Sequence, residues 1–74
     1  ITGGDGDDTL VGGGGHDTIS GGPGDDTLAG GSGQDTLFGN EGADTIDGGN
    51  HDDVCYVNLA EDIAVASCET LIPE

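Results

Sequence analysis

A nine-residue repeat occupies most of this chain and limits the folds that are open to it. From Gly3 onward, six segments follow one another without an insertion or a deletion: GGDGDDTLV, GGGGHDTIS, GGPGDDTLA, GGSGQDTLF, GNEGADTID and GGNHDDVCY. Column six of this alignment is always aspartate and column eight is always apolar, whereas columns three and five vary. A chain of this kind predicts a repeat architecture in which each unit packs against its neighbours.

Each repeat divides into a turn and a short strand. Gly-Gly-x-Gly supplies residues that accept positive φ and close backbone approach, as a tight turn requires. The last three residues, usually Thr, then Leu or Ile, then a variable residue, fit a strand whose central side chain points inward. Two consecutive repeats make one coil, with a strand on each side. We therefore predict an all-β solenoid with two sheets and 18 residues per coil.

The predicted interior of this solenoid is small, because only column eight points inward. Its side chains form two stacks, one on each sheet: Leu10, Leu28 and Ile46, and Ile19, Leu37 and Cys55. Six side chains of this size bury too little apolar surface to offset the backbone entropy lost on ordering the repeats. The chain also carries 16 Asp and Glu and no Lys or Arg, so its carboxylates repel one another. The missing stabilisation must come from cations outside the chain.

Composition excludes several classes of partner. The chain has 74 residues, enough for one domain at most, and a formal net charge of −16. Binding to nucleic acid or to an anionic membrane surface is supplied largely by Lys and Arg, which are absent. No apolar run approaches the length needed to span a bilayer. We expect no nucleic-acid partner and no membrane insertion, and without cations the composition would be typical of a disordered acidic tail.

The repeat resembles the calcium-binding nonapeptide GGxGxDxUx of RTX (hemolysin-type) proteins, and this resemblance implies a right-handed, two-sheet parallel β-roll. The resemblance covers residues 3–56, and five of the six copies match closely. It implies that a column-six aspartate and the one two repeats later share a calcium ion, together with carbonyl oxygens of both turns. The implied pairs are Asp8 with Asp26, Asp26 with Asp44, Asp17 with Asp35, and Asp35 with Asp53.

This resemblance implies about four or more calcium ions per chain. The side-chain ligands would be Asp8, Asp17, Asp26, Asp35, Asp44 and Asp53. The carbonyl ligands would come from the first four columns of the first five turns: Gly3, Gly4, Asp5, Gly6, Gly12, Gly13, Gly14, Gly15, Gly21, Gly22, Pro23, Gly24, Gly30, Gly31, Ser32, Gly33, Gly39, Asn40, Glu41 and Gly42. Such hard oxygen ligands suit calcium better than magnesium or zinc.

Some residues depart from the repeat or lie outside its ligand columns. Asn40 replaces a column-two glycine, and His51 replaces the column-four glycine of the last turn, where Asp53 would bind weakly or end the array. A zinc site from His16, His51, Asp53 and Cys55 is disfavoured, because turn, calcium and capping roles already explain these residues. The remaining acids are expected to form a solvated surface, with weak recruitment of further calcium as the alternative: Asp5, Asp7, Asp25, Glu41, Asp47 and Asp52.

The chain is expected to divide into a repeat region, residues 1–56, and a C-terminal capping segment, residues 57–74. An alternating apolar pattern predicts irregular strands that cover the open end of the solenoid. Its residues are Cys55, Val57, Leu59, Ile63, Val65, Leu71 and Ile72. An even number of cysteines in a small acidic chain suggests a Cys55–Cys68 disulfide formed in an oxidising compartment, with a buried free pair as the alternative.

Function follows as an expectation from these features and from the resemblance. We expect no enzymatic activity, because no nucleophile is paired with a base and the carboxylates are assigned to metal. The chain is expected to be an extracellular calcium-binding module that folds on binding calcium and serves as a structural or secretion-folding domain of a larger secreted protein. The alternative is a self-stacking subunit of a calcium-stabilised filament, surface layer or adhesin stalk. Ile1 and Thr2 fit the end of a preceding repeat, which either expectation accommodates.

Overall fold

Eight short strands make up the regular structure of this chain. The computed structural model describes residues 1–58, 62 and 64–73, with the backbone alone for 64–66. The strands are β1 Thr9–Val11, β2 Thr18–Ser20, β3 Thr27–Ala29, β4 Thr36–Phe38, β5 Thr45–Asp47, β6 Val54–Val57, β7 Ala64–Ala66 and β8 Thr70–Pro73. The first six begin at column seven of successive repeats. Within the described residues, no helix is long and apolar enough to cross a membrane.

The strands alternate between two parallel sheets. One sheet has the order β1-β3-β5-β7 and the other the order β2-β4-β6-β8. Each repeat strand pairs with the strand two repeats later, so that Leu10 lies beside Leu28 and Ile19 beside Leu37. In this register each residue lies beside the residue of the same repeat column in the next coil. It confirms the predicted parallel β-roll.

The interior is the predicted double stack of column-eight side chains. These residues are at most 1% exposed from the second repeat onward: Ile19, Leu28, Leu37, Ile46 and Cys55. Leu10 is half-buried against this core, and Val57, which follows the last repeat, is fully buried in it. One apolar side chain per repeat therefore fills the space between the sheets.

The turns keep one backbone shape through all six repeats. Columns two and four have positive φ throughout, as at Gly4 (88°) and Gly6 (93°). The two departures from glycine keep that shape, because Asn40 has φ 68° and His51 has φ 72°. A left-handed backbone is tolerated by Asn and is uncommon for His, so the last turn accepts a local strain that glycine avoids.

The C-terminal segment adds one irregularly spaced coil to the solenoid. Strand β7 pairs with β5, with Thr45 beside Ala64, and β8 pairs with β6, with Val54 beside Thr70. Thr45 and Ala64 are one residue further apart in sequence than two full repeats, and Val54 and Thr70 are two residues closer together than two full repeats. Among the predicted capping residues, Leu71 is 49% exposed and Ile72 is half-buried. Leu59 and Ile63 lie outside the described residues.

A disulfide joins this last coil to the core. Cys55 lies in β6 at the centre of the interior, and Cys68 lies in the turn before β8; their Cα atoms are 5.9 Å apart. The disulfide is the pairing that the cysteine count suggests. It holds the turn of the last coil against the end of the repeat stack.

Candidate metal centre

The column-six aspartates form two ladders, one along each edge of the solenoid. Edge A contains Asp8, Asp26 and Asp44, and edge B contains Asp17, Asp35 and Asp53. In each ladder the backbone N–H of one aspartate donates a hydrogen bond to Oδ1 of the aspartate in the next coil. The four distances are 2.8 Å for Asp8 to Asp26, 2.8 Å for Asp17 to Asp35, 2.8 Å for Asp26 to Asp44, and 2.7 Å for Asp35 to Asp53. The structure therefore brings together all four predicted pairs.

The second oxygen of each of these carboxylates, Oδ2, is buried in all six aspartates and lacks a hydrogen bond among the described residues. Asp26 is 1% exposed and Asp53 is 0% exposed, so these carboxylates are shielded from bulk water. A buried, unpaired carboxylate oxygen is costly unless a cation or a donor meets it. Because the chain has no Lys or Arg, that cation must be a bound ion.

A carbonyl oxygen of the next coil lies beside these unpartnered oxygens. A Cβ built on Gly12 would lie 2.8 Å from Asp17 Oδ2 and 2.7 Å from the carbonyl oxygen of Gly30. A Cβ on Gly3 would lie 2.7 Å from Asp8 Oδ2 and also 2.7 Å from the carbonyl oxygen of Gly21. Column one therefore has to be glycine, because a side chain would fill the space into which the oxygens of two coils point.

This donor set fits calcium. Carboxylate and carbonyl oxygens are the ligands that calcium prefers, and its coordination is flexible enough to take them from two separate turns. The column-two carbonyls of Gly13 and Gly31 already accept hydrogen bonds from Ser32 and Asn50, at 3.1 Å and 3.0 Å. A carbonyl oxygen has a second lone pair, so this does not exclude them as ligands. The assignment of individual carbonyls in the first four columns remains a prediction.

Burial alters the titration of one of these aspartates. The pKa of Asp44 is raised from 3.8 to about 6, mainly because burial removes the carboxylate from water and also because the carboxylates of Asp62, Asp26 and Asp25 lie nearby. The hydrogen bond from the Asp26 backbone opposes this rise. The charged form is therefore disfavoured in the metal-free fold, and a cation would reverse the effect.

Asp62 continues the ladder of edge A beyond the six repeats. It lies two repeat lengths after Asp44, and its Oδ1 accepts the Asp44 backbone N–H at 3.1 Å. Its Oδ2 accepts the backbone N–H of Asn58 at 2.8 Å, so that both oxygens are satisfied within the protein. The sequence analysis missed this residue because the glycine turn is lost after residue 56. One further step of nine residues from Asp53 would have found it.

Two of the outer acids also connect coils. Asp7 Oδ1 accepts the Asp25 backbone N–H at 2.9 Å, and Asp25 Oδ1 accepts the Ala43 backbone N–H at 2.8 Å. These side chains are exposed, as expected of a solvated surface, yet they add a second ladder outside the first. Asp47 instead accepts the N–H of Gly49 at 3.0 Å, within its own turn.

The structure gives no support to a zinc site. Among the described residues, no group of three or more His, Cys, Asp or Glu side chains could hold a metal ion. Cys55 is in the disulfide, and His16 Nδ1 lies 3.1 Å from the carbonyl oxygen of Gln34. The absence of a group of three such side chains among the described residues agrees with a calcium site in which two carboxylates are supplemented by backbone carbonyls.

The comparisons with known proteins identify the repeat. A family model of the RTX calcium-binding nonapeptide repeat, with four copies, matches residues 2–37 and residues 30–64. The match extends beyond the six glycine-rich copies and includes Asp62. Searches of the curated proteins and of the solved structures found no match. Since the family match covers most of the chain, and the aspartate ladders lie in the matched repeats, this chain belongs to the RTX family of calcium-binding nonapeptide-repeat proteins.

Proposed function

We propose that this calcium-binding repeat module folds on binding calcium, and that it serves as a structural or secretion-folding domain of a larger secreted protein. The observation that carries the proposal is the set of six buried, unpartnered Oδ2 atoms in a chain without Lys or Arg. Bound calcium would supply the positive charge that these oxygens need. Each carboxylate pair exists only when two coils are stacked, so the free energy of calcium binding becomes free energy of folding.

The two aspartate ladders support the binding of four calcium ions by the module. Each of the four aspartate pairs has two unpartnered oxygens, one from each coil. The fifth pair, Asp44 with Asp62, has only one, because Asp62 Oδ2 accepts a backbone N–H. We therefore assign one ion to each of the four complete pairs.

An extracellular setting is supported by two features. RTX repeat proteins are generally secreted, and a disulfide is most stable in an oxidising compartment. Calcium sites of extracellular modules have dissociation constants of about 10⁻⁴ to 10⁻³ M. A chain with such sites would remain unfolded at the low free calcium inside a cell and would fold after export.

Circular dichroism of the full chain in the far ultraviolet tests the proposal. We expect a β signal with millimolar calcium, its loss in excess chelator, and its return when calcium is restored. Sodium chloride at matched ionic strength should give no such signal, because it screens repulsion without filling the sites. An unchanged spectrum in chelator would contradict the proposal, and a calcium midpoint in the submicromolar range would contradict the export role.

A self-stacking subunit is the second candidate. The first coil favours it, because Leu10 and Asp8 are only half-buried there, whereas their counterparts in the later coils are buried. A second copy placed against this coil would cover them. Sedimentation in calcium decides between the candidates: a single chain mass supports the module of a larger protein, and a calcium-dependent series of higher masses supports the filament.

A further inference from the structure

The two edges of the solenoid end differently. Edge A ends at Asp62, whose two oxygens both accept backbone N–H groups. Edge B has Asp53 as its last column-six aspartate, which is 0% exposed. Asp53 Oδ1 accepts the Asp35 N–H at 2.7 Å, but Asp53 Oδ2 is buried without a partner among the described residues. Edge A therefore ends on a carboxylate whose two oxygens are both satisfied by the protein, whereas edge B ends on Asp53, whose Oδ2 has no such partner among the described residues.

The last coil places a carbonyl oxygen beside that unpartnered atom. A Cβ built on Gly48 would lie 2.8 Å from Asp53 Oδ2 and would also overlap the carbonyl oxygen of Ser67. In the inner turns of edge B, the corresponding carbonyl belongs to the column-one glycine of the next coil: Gly30 beside Gly12, and Gly48 beside Gly30. Ser67 therefore occupies the place of a column-one residue, although no glycine motif marks it.

The same coil places a carboxylate opposite Asp53. Val54 pairs with Thr70, so Glu69 lies opposite Asp53 in the register of β6 and β8. The Thr70 N–H donates to the Asp53 carbonyl at 3.1 Å, just as the Val54 N–H donates to the Asp35 carbonyl at 2.9 Å. Glu69 thus holds the position before the strand that the column-six aspartate holds in every repeat. Its side chain is exposed.

We propose that the Asp53 carboxylate, the Ser67 carbonyl and the Glu69 carboxylate form an additional calcium site at the C-terminal end of edge B. The site would take a hard divalent cation, because all of these ligands are oxygen atoms. Cys68 lies between the two residues of the last coil, so the disulfide to Cys55 holds them in place. The repeat motif does not reveal this site for two reasons. The sequence separation of the paired strands β6 and β8 is shorter than two full repeats, and Ser67 and Glu69 stand where Gly and Asp are usual. The inference rests on the proposed calcium-dependent function.

Calcium titration calorimetry of the oxidised full chain tests this site with Glu69→Gln. We expect this variant to bind one ion fewer than the wild type, or to bind its weakest ion at least about tenfold less tightly. Asp52→Asn is the matched control, because Asp52 is exposed, adjacent to Asp53 and outside the ligand set. It should bind the wild-type number of ions. Glu69→Gln with wild-type stoichiometry and affinity would overturn the site, whereas a wild type that binds no calcium would overturn the proposed function instead.

A double-variant comparison assigns the lost ion to the right place. Asp53→Asn removes a ligand from the Asp35 pair and from the terminal site together. Adding Glu69→Gln to Asp53→Asn should therefore cause no further loss of calcium, because both residues serve the same terminal site. A further loss in the double variant would show that Glu69 binds calcium away from Asp53 and would contradict the proposal.

Discussion

Each column-six aspartate uses its two oxygens for different purposes. At Asp26, Oδ1 accepts the backbone N–H of Asp8, while Oδ2 is buried and unpartnered among the described residues. The first interaction holds consecutive coils in register without metal, and the second is available to a cation. Asparagine has the same shape and can still accept through its single oxygen, but it places an uncharged amide where Oδ2 stands. This substitution therefore separates the two roles.

Asp26→Asn should be among the most damaging single changes, because Asp26 belongs to two of the four pairs. We expect the loss of two calcium ions and a midpoint for calcium-induced folding raised by about tenfold or more, since a carboxylate next to a divalent cation contributes several kcal/mol. Calorimetry and circular dichroism measure these quantities.

The neighbouring Asp25→Asn is the control for this experiment. It removes the same charge from the same edge, and its side chain can still accept the Ala43 N–H. We expect it to behave like the wild type in both measurements. Equal effects of the two variants would contradict the assignment of metal ligands to column six.

Most of the candidate site could be predicted from the sequence, because the column-six pairs follow from a period of nine and from two repeats per coil. Asp62 was missed since its segment keeps the aspartate and loses the glycines on which the alignment depends. The ladder of Asp7 and Asp25 could not be predicted either. Column five varies, and the repeat pattern does not determine which hydrogen bonds an exposed carboxylate accepts.

The turn is the element that fixes the spacing between coils. A Cβ built on Gly33 would overlap the carbonyl group of Gly15 in the preceding coil, at a backbone φ of 93°. A Cβ on Gly15 would meet nothing within 4 Å, at a φ of 88°. Both glycines therefore need a positive φ. Only Gly33 also needs to lack a side chain, because a Cβ there would overlap the preceding coil.

Gly33→Ala should destabilise the calcium-bound fold more than Gly15→Ala does. We expect about 1 kcal/mol for Gly15→Ala from the left-handed backbone alone, and a further loss for Gly33→Ala from the clash with the carbonyl. Urea unfolding at saturating calcium measures both. Equal losses would mean that neighbouring turns are not in close contact in solution.

The sequence predicts strands in the last coil, but it does not predict which sheet each of these strands joins. The spacings from β5 to β7 and from β6 to β8 both differ from two repeats, so a period of nine could not assign β7 and β8 to particular sheets. The burial of Val57 and the disulfide at Cys68 determine that arrangement, and both are tertiary contacts.

For the whole molecule, a charge of −16 with no Lys or Arg makes stability depend on pH as well as on calcium. Asp44 has a folded-state pKa of about 6, above its ordinary value of 3.8. Between these values the folded, metal-free chain binds more protons than the unfolded chain does. Its stability therefore rises as the pH falls through 6 and is lost as the pH rises again.

Calcium-stripped protein should accordingly show more β signal by circular dichroism at pH 5 than at pH 7.5, and calcium should bind less tightly at pH 5 because protons compete for the same carboxylate. The variant Asp44→Asn should show a smaller change with pH in the stripped state. A stripped wild type with a stronger β signal at pH 7.5 than at pH 5 would contradict the argument.

The aspartate ladder also has a direction, since each backbone N–H donates to the carboxylate of the coil that comes after it. Every coil before the last therefore depends on its successor, whereas Asp62 accepts the Asn58 N–H from its own coil. Solenoids can in principle begin to fold anywhere and propagate. We therefore expect the solenoid to grow from the C-terminal coil toward the amino end, because each added coil then meets acceptors that are already in place.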